Sequence, residues 1–216
     1  MTSATTNFDI QQFLSKYCMG WNTVDAKSDK FVFTQGDVAN SVYYLREGRV
    51  KLSAVSTQGK EAIVGLCDAH HFFGEGCLAG QERRLSTATT LTDCKAIRFE
   101  RDFMRRLIAE EPRFSALFLS HLVQHVSRME EDLLDQLFNS TEKRLARALV
   151  RISNAPGSTA APTAGPKVNQ EMLAAMIGAT RTRVNFFMNR FREQGYIDYG
   201  EKLIVNHSLV NELLAD

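Results

Sequence analysis

The segment NQEMLAAMIGATRTRVNFFMNRFR, residues 169–192, decides the fold of the C-terminal part of the chain. Asn169 is a favoured helix N-cap, and Gly178 is the residue type that ends a helix in the left-handed conformation. A second helix begins shortly after that glycine. The small Ala174 lets the second helix approach closely, and Val184 fills the junction between the two helices. The spacing therefore predicts a helix-turn-helix.

The second predicted helix carries the residue types that read DNA. It has four arginines and no acidic residue before its last turn. Arg pairs with guanine and Asn with adenine in the major groove, and an inserted helix presents its N-terminal residues there. We therefore expect Arg181, Thr182 and Asn185 to face bases. Thr180, which caps the helix, and Arg183 are expected to hold phosphates.

A hairpin is predicted directly after the second helix. Residues 196–199 and 203–205 have strand character and flank the turn residues 200–202. A hairpin in this position predicts a winged domain, and we expect Lys202 of its turn to touch a phosphate. The order of these elements indicates a sequence-specific protein that binds double-stranded DNA.

Short strands separated by turn residues fill residues 30–99. In residues 50–55 apolar and polar residues alternate, and an apolar run at residues 42–45 precedes Gly48. Turn residues recur roughly every eight to twelve positions, which is typical of antiparallel sandwiches and barrels. The pattern predicts an all-β N-terminal domain.

A long amphipathic helix is predicted over residues 113–137. Its apolar residues recur at steps of three and four, and much of its other face is charged. Such a stripe packs either on the β domain of its own chain or in a two-stranded coiled coil that joins two subunits. We favour a dimer interface, whose predicted members are Leu119, Leu122, Val126, Met129, Leu133 and Leu137.

Two segments mark the boundary between the halves of the chain. Asn139 and Glu142 have the spacing of a capping box, which predicts a new helix and a hinge at Phe138-Asn139. Residues 154–166 are rich in Ala, Pro and Gly, which predicts a loop.

Composition and residue spacing argue against several classes of protein. The net charge is +1. From Asn139 onward there are ten basic and seven acidic residues, and before Asn139 there are 16 basic and 18 acidic residues. No apolar run approaches the ~20 residues of a membrane span and no secretory signal is evident, so we expect a cytoplasmic protein. The four cysteines show no C-x-x-C spacing, and His70 and His71 have no third ligand nearby in sequence, so no metal site is expected. No nucleophile–base pair stands out, and an enzyme is not expected.

The order of β domain, long helix and winged helix-turn-helix resembles the Crp/Fnr family of bacterial transcription regulators, over about residues 31–205. The resemblance implies an α+β fold. It comprises a cyclic-nucleotide-binding-like β jelly roll at residues 1–112, a dimerisation helix at 113–138 and a winged helix-turn-helix at 139–216. It further implies a homodimer that binds a near-palindromic operator, with the loop 154–166 in the place of a polymerase contact. We expect the dimer to recruit RNA polymerase as an activator or, alternatively, to obstruct it.

The resemblance includes the segment FFGEGCLAGQERRLSTA, residues 72–88, which stands in the place of the phosphate cassette of cyclic-nucleotide domains. In such domains backbone amides and an Arg hold the cyclic phosphate, and a Glu binds the ribose hydroxyl. Gly74, Glu75 and Arg84 match this pattern. The effector pocket that the resemblance implies comprises Gly74, Glu75, Cys77, Arg84, Leu85, Ser86 and Met129.

Departures from the family pattern argue against cAMP as the signal. Leu85 stands where the family has a serine, although Ser86 comes next. Met129 and Glu130 stand where cAMP-responsive members place hydroxyl residues that contact adenine. A cyclic nucleotide, a different small effector and binding without an effector therefore all stay open. Cys77 leaves a redox role open as well.

The recognition helix departs from the family pattern too. Thr182 replaces a glutamate that accepts a hydrogen bond from cytosine, and Phe186 replaces a later arginine, so a different operator is expected. The main alternative to a DNA-binding regulator is a cyclic-nucleotide sensor that regulates a partner protein. Residues 169–205 argue against that alternative.

Overall fold

Eight short strands form two antiparallel sheets in the N-terminal domain, as the turn spacing predicts. The computed structural model describes residues 10–153, 169–199, 203–206 and 209. The first sheet has the order β1-β8-β3-β6, with β1 at Trp21–Ala26, β3 at Ser41–Glu47, β6 at Phe72–Phe73 and β8 at Cys94–Glu100. The second has the order β2-β7-β4-β5, with β2 at Phe31–Phe33, β4 at Arg49–Val55, β5 at Glu61–Asp68 and β7 at Thr87–Thr90.

Strand β3 is apolar on both faces because it lies between two cores. Val42 and Tyr44 face a cluster formed with the helices of the domain, whereas Tyr43 and Leu45 face the second sheet. All four side chains are buried. A strand buried on both faces loses the alternation of a half-exposed strand, which explains the apolar run seen in the sequence.

Three helices cover the first sheet: α1 at Ile10–Leu14, α2 at Arg101–Glu110 and α3 at Pro112–Phe138. Pro112 occupies the first turn of α3, where its missing N–H costs nothing. The first half of α3 buries Phe114, Phe118 and His121 against the domain. The second half leaves the domain, so that most of its apolar residues are exposed.

Helix α4 at Thr141–Ser153 begins one residue later than the predicted capping box requires. The Oγ of Ser140 accepts the hydrogen bond from the N–H of Lys143, so Ser140 is the cap. Asn139 instead ends α3, where its Nδ2 donates to Oδ1 of Asp135 at 2.9 Å. The prediction that Asn139 caps α4 was wrong, because the end of α3 already engages this residue.

The C-terminal domain has the predicted helix-turn-helix, with α5 at Gln170–Ile177 and α6 at Arg181–Glu193. The side chain of Asn169 caps α5, and that of Thr180 caps α6 by accepting from the N–H of Arg183. Gly178 has a φ of +63° and ends α5. Strands β9 at Ile197–Tyr199 and β10 at Leu203–Val205 pair antiparallel and form the two strands of the predicted wing.

A third core, separate from the two of the sensor domain, holds the C-terminal domain together. Most of its buried members come from α4, α5 and α6, and Ala174 and Val184 lie among them as predicted. Leu66 of β5 packs against this core from the sensor domain. The two domains of one chain are therefore in direct contact. No helix in the described ranges is long and apolar enough to cross a membrane.

Candidate DNA-binding and effector sites

Helix α6 buries one face and exposes the opposite one. Val184, Phe187, Met188 and Phe191 point into the core of the domain. The predicted DNA-contacting residues of the helix-turn-helix are all exposed, namely Thr180, Arg181, Thr182, Arg183 and Asn185. Insertion into a major groove requires a basic and polar helix face that is held rigidly, as this one is. Lys202, predicted to touch a phosphate, lies outside the described residues.

The first turn of α5 orients two of the predicted base-reading residues. Arg181 forms an ion pair with Glu171, with its Nη1 2.8 Å from Oε1. Gln170 donates from Nε2 to Oδ1 of Asn185 at 3.0 Å. Both contacts are exposed, and exposed ion pairs stabilise weakly, so a base can replace Glu171 as the partner of Arg181 at little cost.

The two later arginines of α6 make contacts within the chain. Arg190 pairs with Glu142 of α4 at 3.3 Å, and Arg192 donates to Oδ1 of Asn189 at 3.2 Å. Arg190 therefore fixes α6 against α4.

Phe186 lies at the centre of the exposed face of α6. Its side chain is 61% exposed, and its ring meets that of Phe187 edge-on at 5.2 Å. Helical periodicity places it one turn after Thr182, on the same side of the helix. The family pattern has an arginine at this position. The structure shows that Phe186 lies at the centre of the exposed face.

The phosphate cassette begins at Gly74 and continues in a 3₁₀ turn at Glu75–Ala79. Gly74 has a φ of +79°, and a Cβ there would lie 2.7 Å from Nη1 of Arg84, so only glycine fits. Arg84 is 5% exposed and stacks over the ring of Phe33, 4.2 Å from its centroid. It donates from Nη1 to the carbonyl of Gly74 and from Nη2 to the carbonyl and Oγ of Ser41.

The remaining predicted pocket residues differ in their exposure. Cys77 is fully buried with its Sγ directed at the carbonyl of Ser41, and burial raises the pKa of its thiol. A buried thiol of raised pKa is a poor redox centre. Leu85 and Met129 are exposed, and Ser86 is half-buried. Arg84 and Cys77 thus make contacts in the interior of the domain.

These residues make contacts within their own domain where the family pattern has contacts to a cyclic nucleotide. Both terminal nitrogens of Arg84 donate to main-chain and serine oxygens of its own domain, while its buried Nε has no hydrogen-bond partner among the described residues. Leu85 and Met129 have no hydroxyl to offer a phosphate or a base. Glu75 faces α3, where its Oε1 is 3.9 Å from Nε2 of His125.

His121 and His125 of α3 form a cluster with His71 beside the cassette, and sequence reasoning missed it. The ring of His121 meets those of His71 and His125 at centroid distances of 5.6 and 6.1 Å. Arg128 approaches His71, with Nη2 2.7 Å from Nε2. Burial above all, then the nearby His71, His125 and Arg128, lowers the pKa of His121 to about 4. The four-residue spacing of His121 and His125 on one helix was the available signal.

Comparisons with known proteins agree with this architecture. Residues 23–111 match the family model of the cyclic nucleotide-binding domain, and residues 143–208 match that of the Crp-like helix-turn-helix domain. The chain is 28% identical to the CRP-like cAMP-activated global transcriptional regulator of Mycobacterium tuberculosis, covering 86% of this chain and 84% of the relative. It is also 28% identical to the global nitrogen regulator of a Nostoc species, covering 84% and 83%.

The solved structures include one of similar fold, the c-di-GMP-responsive global regulator CLP of Xanthomonas campestris. It superposes with a TM-score of 0.76 at 20% identity and covers 91% of this chain and 97% of that one. A β-roll domain joined by a long helix to a Crp-like helix-turn-helix defines a DNA-binding transcription regulator, not an enzyme. The chain belongs to the Crp/Fnr family of transcription regulators.

Proposed function

We propose that the protein acts as a homodimer that binds a near-palindromic operator on double-stranded DNA and activates transcription by contact with RNA polymerase. The observation that carries the proposal is the exposed polar face of α6, opposite its buried face. On this face we assign base contacts to Arg181, Thr182 and Asn185, and phosphate contacts to Thr180 and Arg183. Lys202 and the polymerase-contacting loop 154–166 are assigned from the family resemblance alone.

The second half of α3 supports the homodimer. Of the predicted stripe, Leu119, Val126, Met129, Leu133 and Leu137 are exposed, and Val123, Leu134 and Phe138 extend the exposed apolar surface. Leu122 departs from this pattern, because it packs against the sensor core of its own chain. A two-stranded coil of α3 helices would cover this surface and set two copies of α6 about 34 Å apart, one turn of DNA.

We propose domain limits of 1–112, 113–138 and 139–216. We also propose a cytoplasmic location, because a transcription regulator acts on the chromosome. The hinge between α3 and α4 is bridged by ion pairs of Arg147 with Asp135 and of Arg151 with Asp132. Either an effector other than cAMP biases this hinge, or the protein binds DNA without an effector. The committed donors of Arg84 and the apolar Leu85 and Met129 support this part of the proposal.

The test is selection of binding sites from random DNA by the full chain, followed by affinity measurements over a salt series. We expect a two-fold symmetric site and an affinity that falls steeply with salt, because phosphate contacts release counterions. Absence of an enriched site, or an affinity independent of salt, would overturn the proposal. Calorimetry with cAMP, cGMP and cyclic dinucleotides tests the effector, and tight cAMP binding would contradict our assignment of Arg84.

A further inference from the structure

A cleft of about 1170 Å³ lies between the sensor domain and the DNA-binding domain. Its walls come from four elements, namely β5, the second half of α3, α4 and α5. The lining is mostly apolar, and the volume is slightly above the roughly 300–1,000 Å³ of small-molecule sites. We call this space the interdomain cleft. It is separate from the phosphate cassette, because none of residues 72–88 lines it.

Apolar side chains line the interdomain cleft from both domains. Ile63 and Leu66 of the sensor strand β5 are half-buried, and so is Met176 of α5. Strand β5 is the edge strand of its sheet, so no further strand covers it. Covering such half-exposed apolar surface with an apolar ligand removes it from water, which is favourable.

Helix α4 presents three arginines to the interdomain cleft. Arg144, Arg147 and Arg151 have the spacing that places them on one side of the helix. Two of them are neutralised by α3, because Arg147 pairs with Asp135 and Arg151 pairs with Asp132 at 3.0 Å. Only the first arginine of the three therefore has a charge without a partner in the described ranges.

The guanidinium of Arg144 has no acidic partner among the residues that the structure describes. Its Nη1 donates to Oε1 of Gln136, which is a neutral amide. Its Nε is buried and has no hydrogen-bond partner there. An unpaired buried donor and an uncompensated charge both cost free energy, and an anion at this guanidinium would recover it.

The interdomain cleft adjoins the proposed dimer surface without coinciding with it. Met129 and Leu133 of the exposed α3 stripe line one edge of the cleft. Asp132 and Asp135 bind α4 from another side of α3. A second copy packed on the stripe would therefore lie over that edge and not at the α4 wall.

We propose that the interdomain cleft binds an amphipathic anion, namely a carboxylate with an apolar chain such as a medium-chain fatty acid. A rotation of the Arg144 side chain away from Gln136 brings its guanidinium to the carboxylate, and the chain lies against Ile63, Leu66 and Met176. A ligand with one charge and a long apolar part matches a site with one uncompensated cation and apolar walls.

This ligand contacts the sensor domain and the DNA-binding domain at once. Strand β5 belongs to the first, whereas α4 and α5 belong to the second. A ligand that fits one relative position of the two domains better than another shifts the population toward that position. This link rests on the proposed regulator function, whereas binding of the anion does not. The anion thereby serves as the effector other than cAMP.

The test is equilibrium dialysis of the full chain against radiolabelled decanoate and, separately, against radiolabelled decanol, its uncharged counterpart. We expect one decanoate per chain and an affinity for decanol about tenfold lower. Arg144→Gln should weaken decanoate binding about tenfold and leave decanol binding unchanged, because only the charge is lost. Ile63→Asp should weaken the binding of both ligands, because it puts a charge on the apolar wall.

The matched control is Arg105→Gln, which removes an exposed arginine of α2 outside the interdomain cleft and should leave both affinities unchanged. Arg144 and Ile63 are partly exposed, so neither variant empties a core. No saturable decanoate binding, or equal decanoate affinity in the wild type and Arg144→Gln, would overturn the site. Either result would leave the DNA-binding proposal intact, because operator selection is carried out without decanoate.

The regulatory link has its own measurement. Saturating decanoate should change the operator affinity of the wild type, and the same concentration should have a smaller effect on Arg144→Gln. An operator affinity that decanoate leaves unchanged in the wild type would overturn the link.

Discussion

Arg49 of strand β4 donates a hydrogen bond from Nη1 to the carbonyl oxygen of Ile152, 3.2 Å away near the end of helix α4. The same guanidinium pairs through Nε with Oδ1 of Asp68 on β5 at 2.5 Å. Arg49 is buried, so this contact is shielded from water. One side chain therefore joins the sensor sheet to the DNA-binding domain.

Arg49→Lys should loosen the contact between the two domains. Lysine keeps the charge beside Asp68, but it lacks the planar fork that reaches Asp68 and Ile152 together. We expect the free energy of unfolding to fall by about 1–3 kcal/mol and amide exchange near the end of α4 to accelerate. Lys51→Ala, which breaks a partly exposed ion pair on the same strand, is the control. Equal exchange in both variants would contradict a joining role for Arg49.

Arg181 and Arg183 should differ in the way their loss affects DNA binding. Arg181→Ala is expected to cost about 1–3 kcal/mol and to relax the preference at one base position. Arg183→Ala should weaken binding to all sequences alike and reduce the salt slope by about one. Fluorescence anisotropy with the selected operator and its single-base variants, over a salt series, separates the two outcomes. An unchanged operator affinity for Arg181→Ala would show that the register of α6 on DNA is wrong.

Phe186 should read a thymine methyl group, because an exposed aromatic ring at the centre of the groove-facing surface has no polar edge to offer a base. Replacing thymine by uracil removes only that methyl. In the wild-type protein, uracil at one operator position should cost about 0.8 kcal/mol, the value of one buried methylene. In Phe186→Ala the same replacement should cost nothing, whereas Phe186→Leu should retain part of the effect. Identical uracil penalties in the wild type and Phe186→Ala would exclude the contact.

Local chemistry made the helix-turn-helix predictable from sequence. The caps at Asn169 and Thr180 and the left-handed Gly178 each depend on residues within one or two turns. The prediction of the α4 cap was wrong, although it also depends on residues within one or two turns. Asn139 is suited both to end α3 and to begin α4, and only the packing of Asp135 decides between them.

Contacts between distant parts of the chain were not predictable. The spacing of the cassette identified Arg84, but nothing local indicates that its guanidinium turns inward onto Ser41, 43 residues away. The histidine cluster joins His71 to His121 because β6 packs under α3. Sequence spacing showed only that no third metal ligand lies near His71 in the sequence. The fold supplies neighbours for His71 that spacing could not show.

Leu133→Glu should convert the protein to a monomer and weaken operator binding. The substitution places a charge at the middle of the exposed apolar stripe of α3, where burial in a dimer would desolvate it. Gln124→Glu adds a charge elsewhere on α3 and should leave the dimer intact. Leu122→Ala should lower the stability of the sensor domain instead, because Leu122 packs on its core. Sedimentation equilibrium measures the mass, and a Leu133→Glu dimer would rule out this interface.

The buried ring of His121 should make the folded state sensitive to mild acid. Its pKa of about 4 in the folded protein lies below its ordinary value of 6.5, so the unfolded chain binds more protons between these pH values. The contribution of His121 to the free energy of unfolding is therefore complete above about pH 6.5. It is lost as the pH falls, which lowers the free energy of unfolding by about 2 kcal/mol at pH 5. His71, His125 and Arg128 face this ring, and their positive charge opposes its protonation further.

His121→Phe should remove most of this pH dependence, because phenylalanine does not titrate and fits beside the aromatic ring of Phe72. Urea unfolding at pH 7.5 and pH 5 measures the difference in the free energy of unfolding for each protein. His70→Asn, which removes an exposed histidine from the same loop, should behave as the wild type. If His121→Phe lost as much stability as the wild type between the two pH values, the acid sensitivity would arise from other groups, and His121 would not be held neutral by its burial.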